Sequence, residues 1–154
     1  MPSLAAGDRL PALTLPDQDG KPFDLGAAHG KVIVLYFYPK DETRGCTVQA
    51  CSFRDAYQDF TDAGAIVVGV SSDDAASHRA FADHHRLPFT LLADTDSALR
   101  KAMGVPRTLG LLPGRVTYVV DRGGIIRHVF NSQLQVGQHI TEALAVVRRL
   151  QGAA

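Results

Sequence analysis

The sequence predicts an α/β domain built around a substantially parallel central sheet. The chain has 154 residues, of which 45% are hydrophobic and 21% are charged. These values are usual for one compact domain with its own core. Short apolar runs alternate along the chain with segments of helical periodicity, which is the pattern of strands joined by crossover helices. We therefore predict a single domain over residues 1–154.

The first predicted strand and the helix that follows it surround a short polar loop. Residues 32–38 form a continuous apolar run rich in β-branched and aromatic side chains, as expected for a central strand covered on both faces. After the loop at 40–45, apolar residues recur at i, i+3, i+4 and i+7 from Phe53 to Phe60. This spacing predicts an amphipathic helix, and Gly64 is expected to end it.

The remainder of the chain alternates in the same way. The predicted elements are a strand at 66–70, a helix at 75–85, a strand at 89–93, a short helix at 97–103, an irregular surface loop at 104–114, strands at 116–120 and 125–130, and a helix at 138–150. The last two strands are expected to form a hairpin, because the turn between them at 121–124 contains two glycines.

Charge and hydropathy exclude several classes of partner. Lysine and arginine total 16, and aspartate and glutamate also total 16, so no basic surface for nucleic acid or an anionic membrane is expected. The longest apolar run is far shorter than the roughly 20 residues that span a bilayer. The N-terminus lacks the basic and apolar regions of a secretion signal. We therefore expect a cytoplasmic protein that acts on a small neutral or weakly polar substrate.

Cys46 falls where the chemistry of a thiolate is favoured. It follows a strand and a polar loop, in the expected first turn of a helix, where unpaired backbone N–H groups stabilise negative charge. A free thiol has a pKa near 8.5, and such a position favours the ionised form. A lone cysteine is more often a small buried apolar residue. Gly45 beside it allows close approach, and Thr43 has a hydroxyl that reaches back toward the helix or simply caps it.

Cys51 lies five residues after Cys46 on the same predicted helix. On an intact α-helix this spacing separates the two by about 7.5 Å along the axis and about 140° around it. A disulfide needs converging Cβ vectors, so the two cysteines either never bond or require the first turn to unwind. Cys51 is equally compatible with a place on the core face of the helix, and the two roles are not exclusive.

Residues 37–51, with the sequence FYPKDETRGCTVQAC, contain Pro39, Thr43 and Cys46 in the spacing P-x-x-x-T-x-x-C, followed by Cys51. This segment resembles the active-site segment of the peroxiredoxins, in particular the bacterioferritin comigratory protein or peroxiredoxin Q subfamily. Residues 111–121, LLPGRVTYVVD, resemble the family strand that carries an active-site arginine. The resemblance extends over nearly the whole chain and departs at Arg44, where many relatives have proline.

The resemblance implies a thioredoxin-like fold with a central mixed sheet, flanking helices and an N-terminal extension. It implies that Cys46 attacks hydrogen peroxide or an organic hydroperoxide and becomes a sulfenic acid. Thr43 and Arg115 would bind the thiolate and the peroxide, with Gly45 in the same substrate site, and Pro39 would shield the pocket. On residues alone, Arg115 is an ordinary solvated charge.

The resemblance further implies that Cys51 resolves the sulfenic acid as an intramolecular disulfide. A thioredoxin or glutaredoxin-like dithiol protein would then reduce that disulfide. The family also favours a monomer, and no cofactor is expected.

The histidines do not predict a metal site. His84 and His85 are adjacent, and neighbouring positions on a helix point about 100° apart. The other histidines show no ligand spacing with one another or with the cysteines, so we expect no structural or catalytic metal.

Two other functions would use the same cysteines. A disulfide oxidoreductase of thioredoxin type would need C-x-x-C at the helix start, and the spacing here is C-x-x-x-x-C. The other is a redox-switched binding protein or holdase, in which disulfide closure unwinds a helix and exposes apolar surface. It would undergo the same disulfide switch as the peroxidase but would not turn over peroxide catalytically.

Overall fold

The computed structural model describes residues 3–27, 30–106 and 114–152. Its strands are β1 (Thr14–Pro16), β2 (Pro22–Asp24), β3 (Val32–Phe37), β4 (Ala65–Ser71), β5 (Thr90–Ala93), β6 (Val116–Val120) and β7 (Ile126–Asn131). Its helices are α1 (Arg44–Asp55), α2 (Tyr57–Asp62), α3 (Ala75–His85), α4 (Ala98–Met103) and α5 (Val136–Gly152), together with a short 3-10 helix at Leu25–Ala27.

The five strands β5-β4-β3-β6-β7, in that spatial order, form a mixed sheet. β3 lies at its centre, parallel to β4 and antiparallel to β6. The β3–β4 and β4–β5 pairs are parallel and are connected by helices, as the alternating pattern predicted, whereas β6 and β7 form the predicted antiparallel hairpin. The sheet is therefore less parallel than the sequence pattern alone suggested.

The central strand β3 is buried on both faces, which confirms its predicted place. Val34 and Tyr36 face one apolar cluster, in which Phe53 of α1 packs. Leu35 and Phe37 face the other cluster, which includes Leu99 of α4. Because side chains of a strand alternate between faces, the continuous apolar run supplies both cores, and the end of the strand delivers the next loop to one edge of the sheet.

Two features of the fold differ from the sequence prediction. The helix predicted through Phe60 is divided at Ala56, whose backbone (φ −94°, ψ 3°) leaves helical geometry; neither glycine nor proline marks this break. The N-terminal extension contains the hairpin β1–β2, which was not predicted. Its strands have three residues each and pair Pro16 with Pro22, and proline normally argues against a strand.

The other predicted elements lie within about two residues of the observed ones, which is the ordinary uncertainty of element ends. The helix at Ala75–His85 and the strand at Val116–Val120 have the predicted bounds. Residues 107–113 of the predicted surface loop lie outside the described residues. Among the helices that the structure describes, none is both long enough and apolar enough to cross a bilayer.

Candidate active site

Cys46 is the third residue of α1, in its first turn, as predicted. Thr43 stands at the N-cap with an extended backbone (φ −78°, ψ 154°), and its carbonyl accepts the N–H of Thr47 at 2.8 Å. Because that is the first bond of the helix, the N–H groups of residues 44–46 have no acceptor within the helix. The partial positive charge of the helix N-terminus therefore lies at the sulfur.

Arg115 binds Cys46 from the neighbouring strand end. It lies one residue before β6 and is 4% exposed, while Cys46 is 1% exposed. Its Nη2 donates to Cys46 Sγ at 3.4 Å. The reading of Arg115 as a solvated surface charge is therefore wrong: the guanidinium is buried against the sulfur, where water screens its charge weakly.

Gln49 holds the other arm of the same guanidinium. Nη1 of Arg115 donates to Gln49 Oε1 at 2.6 Å, and Gln49 is fully buried. Gln49 was not among the residues predicted for the site. Its spacing of three from Cys46 could have revealed it, because residues three apart share one face of a helix. Gln49 is neutral, so it orients Arg115 without cancelling the charge that faces Cys46.

Gly45 leaves the space that the Arg115 contact needs. A Cβ atom at this position would lie 3.8 Å from Cζ of Arg115, an ordinary contact, but only 3.0 Å from Nη2, which is closer than ordinary van der Waals contact. Any larger residue would therefore displace the guanidinium from Cys46. This supports the prediction that Gly45 belongs to the site, through close approach of the arginine.

Thr43 and Pro39 border the same turn. The hydroxyl of Thr43 does not cap α1; it donates to the carbonyl of Lys40 at 2.8 Å. Its proton is therefore committed, and its oxygen lone pairs remain able to accept a hydrogen bond. Pro39 is half-buried at the start of this loop, which is compatible with the predicted shielding role.

A buried polar network fixes the loop between β3 and α1. Asp41, 5% exposed, accepts hydrogen bonds from Tyr38 Oη at 2.6 Å and Ser77 Oγ at 2.8 Å. Its Oδ2 also lies 2.7 Å from Nδ1 of fully buried His78. The backbone N–H of Asp41 donates to Asp73 at 2.8 Å. These contacts tie the loop that precedes Cys46 to α3, and neither Asp41 nor His78 was predicted to belong to the site.

The aromatic side chains near the site stay neutral. Burial raises the pKa of Tyr36 well above its usual value, and the nearby Cys46 and Asp41 raise it further. Burial, followed by Tyr36 and Asp41, likewise raises the pKa of Tyr38. Neither phenol therefore ionises near neutral pH. Both side chains remain neutral, so no phenolate competes with the Cys46 thiolate for the positive charge of Arg115.

His139 of α5 lies behind Arg115 as a neutral imidazole. Thr117 Oγ1 is 2.7 Å from Nδ1, and Nε2 donates to the carbonyl of Ser132 at 2.7 Å. Burial lowers the pKa of His139; the bond to Ser132 opposes this, and the charge of Arg115 lowers the pKa further.

Cys51 lies on the same helix but is not bonded to Cys46; both are free thiols. Cys51 is half-buried, in contrast to the fully buried Cys46. Since α1 is continuous from Arg44 to Asp55, the spacing argument holds in the folded protein. The pair cannot close while the first turn of α1 is intact.

Comparison with known proteins gives matches that span the chain. Residues 6–129 match the AhpC/TSA family. A wheat (Triticum aestivum) protein named "Peroxiredoxin Q, chloroplastic" is 53% identical over 148 residues, covering 96% of this chain and 68% of that protein. The crystal structure of peroxidoxin BcpB from Mycobacterium tuberculosis has a TM-score of 0.88 and 34% identity, covering 96% of this chain and 98% of that one.

A second similar structure is a bacterioferritin comigratory protein from Xanthomonas campestris, described in terms of alkyl peroxide reduction. It has a TM-score of 0.85 and 31% identity, covering 95% of this chain and 99% of that one. Together with the mixed sheet and its flanking helices, these likenesses confirm the thioredoxin-like fold that the sequence resemblance implied.

Proposed function

This chain belongs to the AhpC/TSA family and is a thiol peroxidase of the peroxiredoxin Q type, and from this premise we propose that Cys46 is the residue that attacks the peroxide. The observation that carries the assignment is the buried contact between Arg115 Nη2 and Cys46 Sγ at 3.4 Å. Cys51, the other cysteine of the chain, lies outside the first turn of α1 and so is not beside the helix N-terminus.

The chemistry follows from the charges around Cys46. Its thiolate attacks the terminal oxygen of the peroxide, the O–O bond breaks, and sulfur becomes a sulfenic acid while the leaving oxygen takes up a proton. Arg115 and the free N–H groups of the first turn stabilise the negative charge as it moves from sulfur to oxygen. The oxygen of Thr43, whose own proton is committed to Lys40, accepts a hydrogen bond from the peroxide O–H.

Cys51 is proposed as the resolving cysteine. After the first turn of α1 unwinds, its thiolate attacks the sulfur of the sulfenic acid, an S–S bond forms, and water leaves. The half-buried position of Cys51 supports this step, because a small local opening is enough to expose it. An external dithiol, a thioredoxin or a glutaredoxin-like protein, then reduces the disulfide by exchange, and α1 reforms.

We propose hydrogen peroxide and organic hydroperoxides as substrates. The reduction of alkyl peroxides described for the Xanthomonas campestris relative supports the organic class. Nη2 of Arg115 faces the sulfur of Cys46, and its N–H donors suit the oxygen atoms of an uncharged peroxide group. A monomer located in the cytoplasm also remains a proposal, which sedimentation and localisation of the tagged protein would test.

A coupled assay separates this function from the holdase alternative. Peroxide consumption is followed as NADPH oxidation with thioredoxin, thioredoxin reductase and catalytic amounts of the protein. We expect turnover by the native chain, none by Cys46→Ser, and consumption of about one equivalent of peroxide by Cys51→Ser, which leaves Cys46 as sulfenic acid. Full activity of Cys46→Ser would refute the assignment, and absence of turnover by the native chain would favour the holdase.

A further inference from the structure

Three side chains with metal-binding atoms converge on the surface beside the active-site loop. Glu42 lies in that loop, one residue before Thr43, and His84 and His85 form the end of α3. Nδ1 of His84 is 2.9 Å from Oε2 of Glu42, and Nε2 of His85 is 2.8 Å from Oε1. One such atom from each of the three residues lies within 4.8 Å of the others.

The convergence depends on a geometry that adjacency in sequence did not predict. The two histidines were expected to point apart on a helix. Instead their rings lie 4.1 Å apart with an angle of 34° between their planes, and both reach the same carboxylate. The glutamate comes from a different element, so the helix spacing that argued against chelation does not decide the case.

We propose that Glu42, His84 and His85 form a binding site for a divalent cation of the zinc class. Two imidazoles and one carboxylate are a ligand set that Zn²⁺ favours, with water in the fourth position. Zinc bonds of about 2.0–2.1 Å in a tetrahedron place ligand atoms about 3.3 Å apart. Oε1 of Glu42 lies 3.2 Å from Nδ1 of His84 and 2.8 Å from Nε2 of His85, so the two distances from this one oxygen would open by at most about 0.5 Å to admit the ion.

The surroundings of the three ligands suit a cation. The last turn of α3 carries the partial negative charge of the helix C-terminus. The ring of Phe81 packs edge-on against His85 at 5.2 Å, and Arg54 donates to the carbonyl of His85 at 2.8 Å. Both contacts orient His85 without occupying its ring nitrogens. The side chain of His84 is 67% exposed and that of Glu42 is 45% exposed, so an ion has access.

A bound cation would act on the catalytic cycle through the loop. Glu42 has a left-handed backbone (φ 63°), a conformation that residues with side chains rarely adopt. A metal bond from Glu42 to α3 would hold this backbone and the N-cap that follows it. Because the first turn of α1 has to unwind before Cys51 reaches Cys46, the cation would slow disulfide closure without touching either sulfur.

Zinc titration of protein that lacks both thiols tests the site. In the Cys46→Ser/Cys51→Ser protein, freed of metal by chelation, calorimetry should show one Zn²⁺ bound per chain. His84→Ala, His85→Ala and Glu42→Gln should each weaken binding by at least about tenfold, a loss that even outer-shell substitutions cause. His128→Ala is the matched control, because His128 also faces a glutamate, Glu142 at 3.5 Å. The affinity of this variant for Zn²⁺ should be unchanged.

The site would be overturned if the three ligand variants bound Zn²⁺ as tightly as the Cys46→Ser/Cys51→Ser protein that keeps all three ligands, or if that protein bound no Zn²⁺ at all. The effect on the cycle is tested separately, by the rate of Cys46–Cys51 disulfide formation with and without Zn²⁺. We expect slowing in the native chain and none in the His84→Ala/His85→Ala variant, which has the same thiols. Equal slowing in both proteins would assign the effect to Zn²⁺ bound by the thiols and would contradict the proposal that the cation acts by holding the loop.

The kinetic test rests on the proposed disulfide, whereas the titration does not. If no disulfide forms even without zinc, the proposed resolving role of Cys51 fails, and the titration still decides the metal site.

Discussion

Gly45→Ala adds one methyl group and should lower the activity of the protein without lowering its stability. The added Cβ would lie 3.0 Å from Nη2 of Arg115, whereas ordinary contacts begin near 3.4 Å, so the guanidinium has to move by a few tenths of an ångström. This movement lengthens the 3.4 Å bond from Arg115 to Cys46. A hydrogen bond to a charged group contributes about 1.5–3 kcal/mol, which corresponds to about tenfold to about 150-fold in rate.

The same substitution should not weaken the fold. Gly45 is the second residue of α1 and its φ lies outside the left-handed region, so alanine fits the backbone. Alanine is favoured over glycine within a helix by up to about 1 kcal/mol. We therefore expect an unfolding midpoint in urea that is unchanged or higher, together with a first-turnover rate that is lower by several-fold, with complete loss of the bond, about 150-fold, as the upper limit.

The chain has no tryptophan, so the rate is best measured by competition with a haem peroxidase for limiting hydrogen peroxide, in the Cys51→Ser background. Gly137→Ala is the matched control. Gly137 is also the second residue of its helix, α5, and a Cβ there would meet nothing within 4 Å. A Gly45→Ala rate within about twofold of the control would refute the reasoning, since that difference is below 1 kcal/mol.

Three further substitutions test neighbouring contacts. Arg115→Met should lower the first-turnover rate by at least about tenfold; an unchanged rate constant would remove Arg115 from the site. Asp41→Asn replaces a buried carboxylate oxygen that lies 2.7 Å from Nδ1 of His78 and should cost about 1–3 kcal/mol in urea unfolding, the cost of a buried polar group left without its partner; a loss under about 1 kcal/mol would contradict the network. Burial alone would raise the pKa of Glu42, but hydrogen bonds and charge from His84 and His85 lower it. Glu42 therefore stabilises the fold above its unfolded pKa, and this stabilisation is lost as pH falls through the folded pKa. Glu42→Gln should therefore destabilise the protein near pH 6 and not in strong acid, and an equal effect at both pH values would contradict this.

The fold could be predicted from the sequence where local signals were strong. The helix Ala75–His85 had the predicted bounds, and its N-cap, Asp74, accepts the N–H of Ser77 at 2.8 Å. The strand β3 was recognisable because burial on both faces requires a continuous apolar run. By contrast, the hairpin β1–β2 has strands too short for periodicity to register, and the break at Ala56 has no local marker.

The site was predictable only in part from local sequence. The position of Cys46 in a first helical turn followed from the strand, loop and helix around it. Its contact with Arg115 joins residues 69 positions apart, and no local pattern encodes such a contact, so the arginine came from family resemblance alone. Asp41 and His78 were likewise invisible, because the network forms only when α3 packs against the loop.

The central claim is that Cys46 is oxidised first and that Cys51 reaches it only after the helix opens. Peptide mass mapping of the reduced native chain after one equivalent of hydrogen peroxide tests this claim most directly. The account predicts a peptide pair or internal loop in which Cys46 and Cys51 are joined, two hydrogens lighter than the reduced form, with Cys51→Ser giving oxidation at Cys46 alone. Oxygen added at Cys51 while Cys46 stays a free thiol would contradict it.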